Sequence, residues 1–226
     1  QMRLINHNLI DMLNHILKSM VNDCSRTVQK WVQHIMKSPY FSSFKNTLLV
    51  TVALVASINY VMADDSASAF SLESNLADNS RFPPEYYWNQ FGCSGENIAP
   101  RLTWQNVPAG TKSFAVTLYD KDAPTGSGFW HRVVYDIPAQ VSTLAGGVNG
   151  GALPSGAIEA NTDLGKPGFF GPCPPEGREH SYVWTVHALD VAQLPIDKGS
   201  TPALVGFYLW QHRLGEASLT LLAGPR

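Results

Sequence analysis

Two strand-like runs joined by a short turn constrain the fold of this chain more than any other feature. Residues 114–119 (FAVTLY) and 131–137 (HRVVYDI) are rich in apolar and β-branched side chains, and a Pro-Thr-Gly-Ser-Gly turn lies between them. Runs of this kind that are bounded by Gly and Pro are typical of antiparallel strands. The sequence therefore predicts a β-hairpin over residues 114–137.

Polar residues stand where the two runs of this hairpin meet. Asp120 and Asp122 follow the first run, and they share a face if the extended conformation continues that far. His131 begins the second run, so the turn brings it back toward the aspartates. Asp also commonly caps turns, which is the purely structural alternative. Two carboxylates and an imidazole at one edge of a sheet indicate a ligand site.

The composition favours a β-rich domain that does not bind nucleic acid. Charged residues make up 15% of the chain, whereas Gly and Pro number 18 and 15. Such a balance suits many turns between strands better than a helical bundle. There is no block of Lys and Arg and no basic–aromatic pattern, which argues against a nucleic-acid partner.

The segment 36–63 has the pattern of a bacterial export signal. Lys37 and Lys45 precede the apolar run 47–62, and Ala63 follows at the expected cleavage position. A retained membrane anchor is the alternative, but the run is shorter than the roughly 20 residues that a span needs. We therefore interpret residues 36–63 as a signal peptide that is cleaved near Ala63, and the protein as periplasmic or secreted.

Residues 1–35 and 64–226 differ in pattern and in composition. Residues 1–35 carry apolar residues at helical spacing, which indicates an amphipathic helix. The alternative is that they are an extension upstream of the true start at Met36, and we prefer this interpretation because a signal peptide normally lies at the N-terminus. The folded domain is then 64–226, with 10 Lys and Arg against 16 Asp and Glu. Cys93 and Cys173 are its two cysteines, and export makes them a candidate disulfide, with two separate thiols as the alternative.

The rest of the domain predicts one long loop, one further strand and one helix. Residues 140–168 are Gly-rich and weakly patterned, as in a functional loop. Residues 181–191 are apolar on both faces and predict an interior strand. Thr201 and Pro202 predict the start of a helix over 202–214 that covers the sheet. Its apolar stripe is expected to consist of Leu204, Phe207, Trp210 and Leu214.

A second polar cluster lies at the start of this strand. His180 and Tyr182 flank Ser181 and therefore share a face. Gly171 and Pro172 come shortly before, and a glycine without Cβ lets a backbone amide approach a ligand. Imidazole, phenol and main-chain N–H groups together suit an oxyanion. The expected pocket joins these residues to Asp120, Asp122 and His131.

These segments resemble the phosphatidylethanolamine-binding protein (PEBP) family, and within it the exported bacterial Raf-kinase-inhibitor-like proteins. The stretches that carry the likeness are DKDAPTGSGFWHRVVYDIPA, GPCPPEGREHSY and SGENIAPRLTW, and it covers nearly all of residues 66–226. The resemblance implies a mostly β fold, a sandwich of two antiparallel sheets with a few short helices, and a cis Ala123–Pro124 bond. It also implies a pocket for phosphate-like anions or phospholipid headgroups. Its residues here are Asp120, Asp122, Trp130, His131, Gly171, His180 and Tyr182.

We therefore predict an exported binding protein without catalytic activity, metal or cofactor. A protein-interaction or inhibitor module is the alternative, with Arg132 and residues 140–168 at the rim of the pocket as its contact surface. A metal-dependent phosphoesterase is disfavoured, because the chain has no His-x-His ligand spacing and no GxSxG motif. The sequence leaves a homodimer open.

Two aspartates near a bound anion oppose it electrostatically. We hypothesise that His131 or His180 is cationic in the complex, with Asp120 or Asp122 orienting an imidazole. Affinity for the anion would then rise as pH falls toward about 6.

Overall fold

Ten strands and one α-helix follow each other along residues 68–226, the part of the chain that this computed structural model describes. The predicted segments 1–35 and 36–63 lie outside these residues. No helix within 68–226 is long and apolar enough to cross a membrane. The strands are β1 (Ser71–Ser74), β2 (Ile98–Ala99), β3 (Leu102–Gln105), β4 (Ser113–Asp120), β5 (Phe129–Pro138), β6 (Thr143–Leu144), β7 (Gly147–Val148), β8 (Ile158–Glu159), β9 (His180–Leu189) and β10 (Arg213–Ala223), and the helix is α1 (Pro202–His212).

The strands form two main antiparallel sheets. The larger has the order β10-β9-β4-β5-β8, and the smaller has the order β1-β3-β6, with β2 and β7 pairing separately. The predicted hairpin is β4–β5, in which Asp120 lies opposite Phe129. The mostly β fold with antiparallel sheets and a helix near the C-terminus is confirmed.

The main core lies between the two sheets. Trp104 of β3 packs in one buried cluster with Val116 and Leu118 of β4 and with Trp184 of β9. β4 is the central strand of the larger sheet and is buried on both faces. In β9 the N-terminal half is buried on one face only, because alternate residues from Ser181 to Thr185 are partly exposed. β4, and β5 from His131 to Ile137, are the strands with two buried faces, and the interior position expected for residues 181–191 holds only in part.

Helix α1 covers the outer face of the larger sheet with a different stripe from the one expected. Val205 and Leu209 are buried against Val133 and Leu189, whereas the predicted stripe faces outward. The exposed fractions are 44% for Leu204, 51% for Phe207, 59% for Trp210 and 43% for Leu214. Both stripes are apolar, so periodicity did not distinguish them. The helix also ends at His212, which places Leu214 in β10.

Arg132 is buried in the fold and does not lie on an exposed rim as expected. It is 1% exposed, and its guanidinium donates to Glu159 Oε1 at 3.0 Å and to the Gly150 carbonyl oxygen at 2.9 Å. Its guanidinium carbon also lies 5.7 Å from the centre of the Phe169 ring. These contacts fasten residues 140–168, which contain the short strands β6, β7 and β8, to the larger sheet.

Candidate functional site

A cavity of about 230 Å³ opens where β4 ends and β9 begins. The side chains of β4 that face the core are apolar from Phe114 to Leu118, and the next side chain on that face is Asp120. The cavity therefore continues the interior of the sandwich, and Asp120 is a polar side chain in its wall. It is lined by Trp88, Phe91, Asp120, Ala123, Pro124, Thr125, Phe129, His131, Leu164, Cys173, Pro175, His180 and Tyr182.

Asp120 holds His180 through a short hydrogen bond. His180 Nδ1 lies 2.7 Å from Asp120 Oδ2, and Asp120 Oδ1 accepts the Asp122 N–H at 2.9 Å. The exposed fractions of Asp120 and His180 are only 3% and 5%. An ionised carboxylate can only accept, so the proton of this contact lies on Nδ1 of the imidazole. In the neutral ring this leaves Nε2 as a hydrogen-bond acceptor.

His131 is fixed in the same tautomer by a backbone carbonyl. Its Nδ1 lies 2.8 Å from the Phe170 carbonyl oxygen, which can only accept. Burial lowers the pKa of His131 below its ordinary value, although the Phe170 carbonyl and the Asp120 charge oppose this. His131 is therefore neutral at pH 7 and presents Nε2 as an acceptor. Without a ligand, His131 therefore carries no positive charge at this pH, and the hypothesis of a cationic imidazole in the complex stays a prediction.

Tyr182 completes the polar part of the cavity. It lies opposite Asp120 in the β4–β9 register, and its ring meets the His131 ring edge-to-face at 5.1 Å. Burial and the nearby Asp120 carboxylate raise the pKa of Tyr182 above its ordinary value. The phenol therefore keeps its proton, which the Asp120 carboxylate accepts and which can turn to a bound group.

Asp122 and Trp130 do not line the cavity. β4 ends at Asp120, so the alternation that would aim Asp122 inward stops, and its Oδ2 accepts the Ser181 N–H at 2.7 Å instead. Burial raises the pKa of Asp122, but the hydrogen bonds from Ser181 and the charge of Lys121 together outweigh it, and the pKa lies below its ordinary value. Trp130 faces away from His131 and packs 4.6 Å from the Tyr119 ring. Alternation within β5 already implied this.

Gly171 and Pro172 have structural partners and do not line the cavity either. The Gly171 N–H donates to Asn97 Oδ1 at 2.7 Å, and the Pro172 carbonyl accepts the Trp88 N–H at 3.1 Å. A Cβ on Gly171 would collide with the Tyr86 carbonyl oxygen. The glycine is needed for this close packing, and its amide is not free for a ligand.

Asn97 is a positioning residue that the sequence reading missed. Its buried side chain donates to Asn149 Oδ1 at 2.9 Å and to the Phe169 carbonyl at 3.1 Å, besides accepting from Gly171. It thereby fixes the segment whose Phe170 carbonyl holds His131. Its place in a Gly-rich loop suggested a local turn contact, and no signal in the sequence indicated partners 52 to 74 residues away.

The apolar lining was also missed. Phe129 shares its β5 face with His131, so period-2 alternation was a usable signal. Trp88, Phe91 and Leu164 come from loops, where no periodicity tells which way a side chain turns. These residues make most of the cavity wall apolar.

Cys93 and Cys173 form a disulfide, which confirms the predicted pairing. Cys173 lines the cavity, so the bond joins its wall to the loop of residues 91–95. The Ala123–Pro124 bond is trans, contrary to expectation, and within residues 68–226 the cis bond is Gly224–Pro225. The same residues contain no group of three or more His, Cys, Asp or Glu side chains that could hold a metal ion.

Comparisons with known proteins agree with this architecture. The family model described as "Phosphatidylethanolamine-binding protein" matches residues 73–223. YbhB of Escherichia coli K12 is 46% identical over 153 residues, which is 67% of this chain and 97% of that protein. YbcL of the same strain is 42% identical over 179 residues, or 77% and 96% of the two chains.

A solved structure and one further relative differ in the share of each chain that the match covers. The crystal structure of E. coli YbcL, described as a new member of the mammalian PEBP family, matches with a TM-score of 0.66 and covers 70% of this chain and 99% of its own. The putative lipoprotein LppC of Mycobacterium tuberculosis H37Rv is 37% identical over 58% of this chain and 62% of its own. On these matches, together with the sandwich and its cavity, the chain belongs to the phosphatidylethanolamine-binding protein family.

Proposed function

We propose that this protein is an exported, non-catalytic binder of small phosphate-like anions or phosphorylated headgroups. The observation that carries the proposal is the convergence of Asp120, His131, His180 and Tyr182 on one cavity whose remaining wall is apolar. Family membership supports a binding role. A concave, mainly apolar pocket with a few convergent polar groups is the usual form of a small-molecule site.

The polar groups are held before any ligand arrives. Asp120 fixes His180, and the Phe170 carbonyl fixes His131, so each imidazole keeps one orientation. Groups whose conformation is already set cost less entropy when a ligand binds. This arrangement supports binding of a small polar group at the buried residues Asp120, His180 and Tyr182, with its substituent against the apolar wall.

Isothermal titration calorimetry with inorganic phosphate and O-phosphorylethanolamine tests the proposal. His180→Asn should weaken binding at least tenfold, because it removes the imidazole that Asp120 positions. His212→Asn is the matched control, since His212 contacts Asp190 at the end of α1 and does not line the cavity. Absence of a binding signal from both ligands at millimolar concentration would reject the anion-binding role.

Export is supported by the signal-like segment 36–63 and by the Cys93–Cys173 disulfide, since such bonds persist in oxidising compartments. A relative is also named as a putative lipoprotein. Mass spectrometry of the protein from a periplasmic extract should find a mature chain that begins near Asp64. A chain that is found only in the cytosol with residues 36–63 attached would contradict export.

If the protein is an inhibitor module instead, its contact surface at the rim of the cavity consists of residues other than Arg132. Arg132 is buried, whereas Phe91, beside the cavity, is 71% exposed. If a protein partner binds at the rim, Phe91→Ser should abolish its capture from extracellular fluid. Trp210→Ser, which changes an exposed aromatic residue of α1, is the control.

A further inference from the structure

The cavity has no Lys or Arg among its described lining residues, which is unusual for a site that receives an anion. The Asp120 carboxylate, by contrast, does line it. A dianion would lie a few ångströms from this carboxylate in a poorly solvated space, where like charges repel strongly. The charge of the cavity therefore opposes fully ionised ligands.

The hydrogen-bonding groups of the cavity are mostly acceptors. His131 Nδ1 donates to the Phe170 carbonyl, so its neutral ring offers the Nε2 lone pair; His180 Nδ1 donates to Asp120, and the neutral form of that ring offers Nε2 in the same way. The Asp120 oxygens are also acceptors. Tyr182 keeps its phenolic hydrogen, for which the Asp120 carboxylate is the acceptor until a ligand oxygen replaces it. The Asp120 oxygens already accept from His180 and from the Asp122 N–H, but a ligand without a hydrogen of its own would leave the imidazole Nε2 acceptors unpaired, which is costly.

We propose that the cavity selects oxyanions that carry an acidic O–H, namely the monoanions of inorganic phosphate and of phosphomonoesters. This inference rests on the proposed function. The ligand O–H donates to an imidazole Nε2, and a second ligand oxygen accepts the Tyr182 O–H. Sulfate has no such hydrogen at neutral pH, and neither has the phosphodiester of an intact phospholipid. The structure thus favours free phosphate or a phosphomonoester over a diester headgroup.

The charged and titratable groups around the site are consistent with this selection. Asp120 and the nearby Asp122 come from the end of β4, and His131 comes from β5. Asp163 adds a negative charge close to His131, and its carboxylate accepts the Trp130 N–H at 2.8 Å. β9 contributes His180 and Tyr182. His180 is the group whose protonation would give the rival explanation, in which a cationic imidazole attracts any anion.

Calorimetry with four small ligands separates these explanations. Methyl phosphate has an O–H as a monoanion and loses it with a pKa of about 6. Its affinity should fall about tenfold per pH unit above that value up to pH 8. Inorganic phosphate keeps one O–H even as the dianion and should lose less affinity above its own pKa, whereas sulfate and dimethyl phosphate should bind at least tenfold more weakly at every pH from 5.5 to 8.

Each outcome of this series is decisive. A flat pH profile for methyl phosphate, or sulfate or dimethyl phosphate binding as tightly, overturns the inference. Sulfate affinity that rises as pH falls supports the cationic His180 explanation and also overturns it. If none of the four ligands binds, the proposed function fails first, so the two failures are distinguishable. The affinity for inorganic phosphate compared with that for methyl phosphate shows whether free phosphate or a phosphomonoester fits the cavity better.

Asp120→Asn provides a second measurement. Removing the negative charge and adding a donor should reduce the methyl phosphate to sulfate affinity ratio at least threefold. His212→Asn, remote from the cavity, should leave the ratio unchanged. An unchanged ratio in Asp120→Asn counts against the inference, because the carboxylate would then play no part in the selection.

Discussion

Asp120 and His180 are joined by a 2.7 Å contact that is nearly sealed from solvent, whereas Asp190 and His212 form a similar contact of 2.9 Å at the surface. The two pairs have the same chemistry and differ mainly in burial. A buried group that loses its partner keeps its full desolvation cost, but an exposed one is solvated by water.

We therefore expect Asp120→Ala to lower the free energy of unfolding by about 2–4 kcal/mol, because His180 Nδ1–H and the Asp122 N–H both lose their acceptor. Asp190→Ala should lower it by less than about 1 kcal/mol. Urea unfolding at pH 7 measures both. Equal losses in the two variants would show that burial of the Asp120–His180 pair does not increase its contribution to stability.

Gly171→Ala should destabilise the protein by roughly 1–3 kcal/mol, because the new Cβ would push the segment of Tyr86 away from Gly171. Gly199→Ala is the matched control, since nothing lies within 4 Å of a Cβ at Gly199. Its stability should change by less than about 1 kcal/mol. Thermal unfolding followed by circular dichroism checks the pair, and a Gly171→Ala variant as stable as the wild type would refute the packing argument.

The two stripes of α1 should respond differently to truncation. Leu209→Ala removes buried contacts with the outer face of the larger sheet and should cost about 2–5 kcal/mol. Leu204→Ala, on the exposed stripe of the same helix, should cost less than about 1 kcal/mol. Chemical denaturation distinguishes them. A larger loss for Leu204→Ala would mean that the helix packs by its other stripe.

His187 should make the protein less stable in acid. Burial, with the Arg213 charge, lowers the pKa of His187 to about 3, and Glu216 Oε2, 3.5 Å from Nδ1, forms no hydrogen bond that would offset it. The unfolded state has the ordinary value of about 6.5 and binds the proton first. Stability therefore falls as pH drops from about 6.5 toward about 3, by up to a few kcal/mol.

Urea unfolding between pH 4 and pH 7 measures this slope. His187→Gln should flatten it, because the group that the unfolded state protonates is gone. His212→Gln should retain it, since His212 is partly exposed beside Asp190. An unchanged slope in His187→Gln would assign the acid sensitivity to other groups, of which His131 is the first to test.

The sequence predicted those parts of the site that lie on strands. The hairpin turn brought His131 back toward Asp120, and period-2 alternation put His180 with Tyr182; all four line the cavity. The sandwich followed from the strand and turn pattern together with the family likeness.

The predictions that were wrong concern residues at which a strand or helix pattern no longer determines where the side chain points. Asp122 lies two residues beyond the end of β4, and Gly171 lies in a loop whose amide is taken by Asn97. On α1 two apolar stripes compete, and only the shape of the sheet beneath decides between Leu209 and Leu204. Such choices depend on tertiary contacts that a local pattern does not contain.

The bond between Cys93 and Cys173 makes a covalent ring of the chain between them. Asp120, His131 and the Gly-rich residues 140–168 lie inside this ring, and His180 follows just outside it. A protease that cuts once among residues 140–168 would therefore release no fragment. The nicked protein would keep the mobility of an intact chain on a gel without reductant, and would separate into two pieces only after thiol treatment.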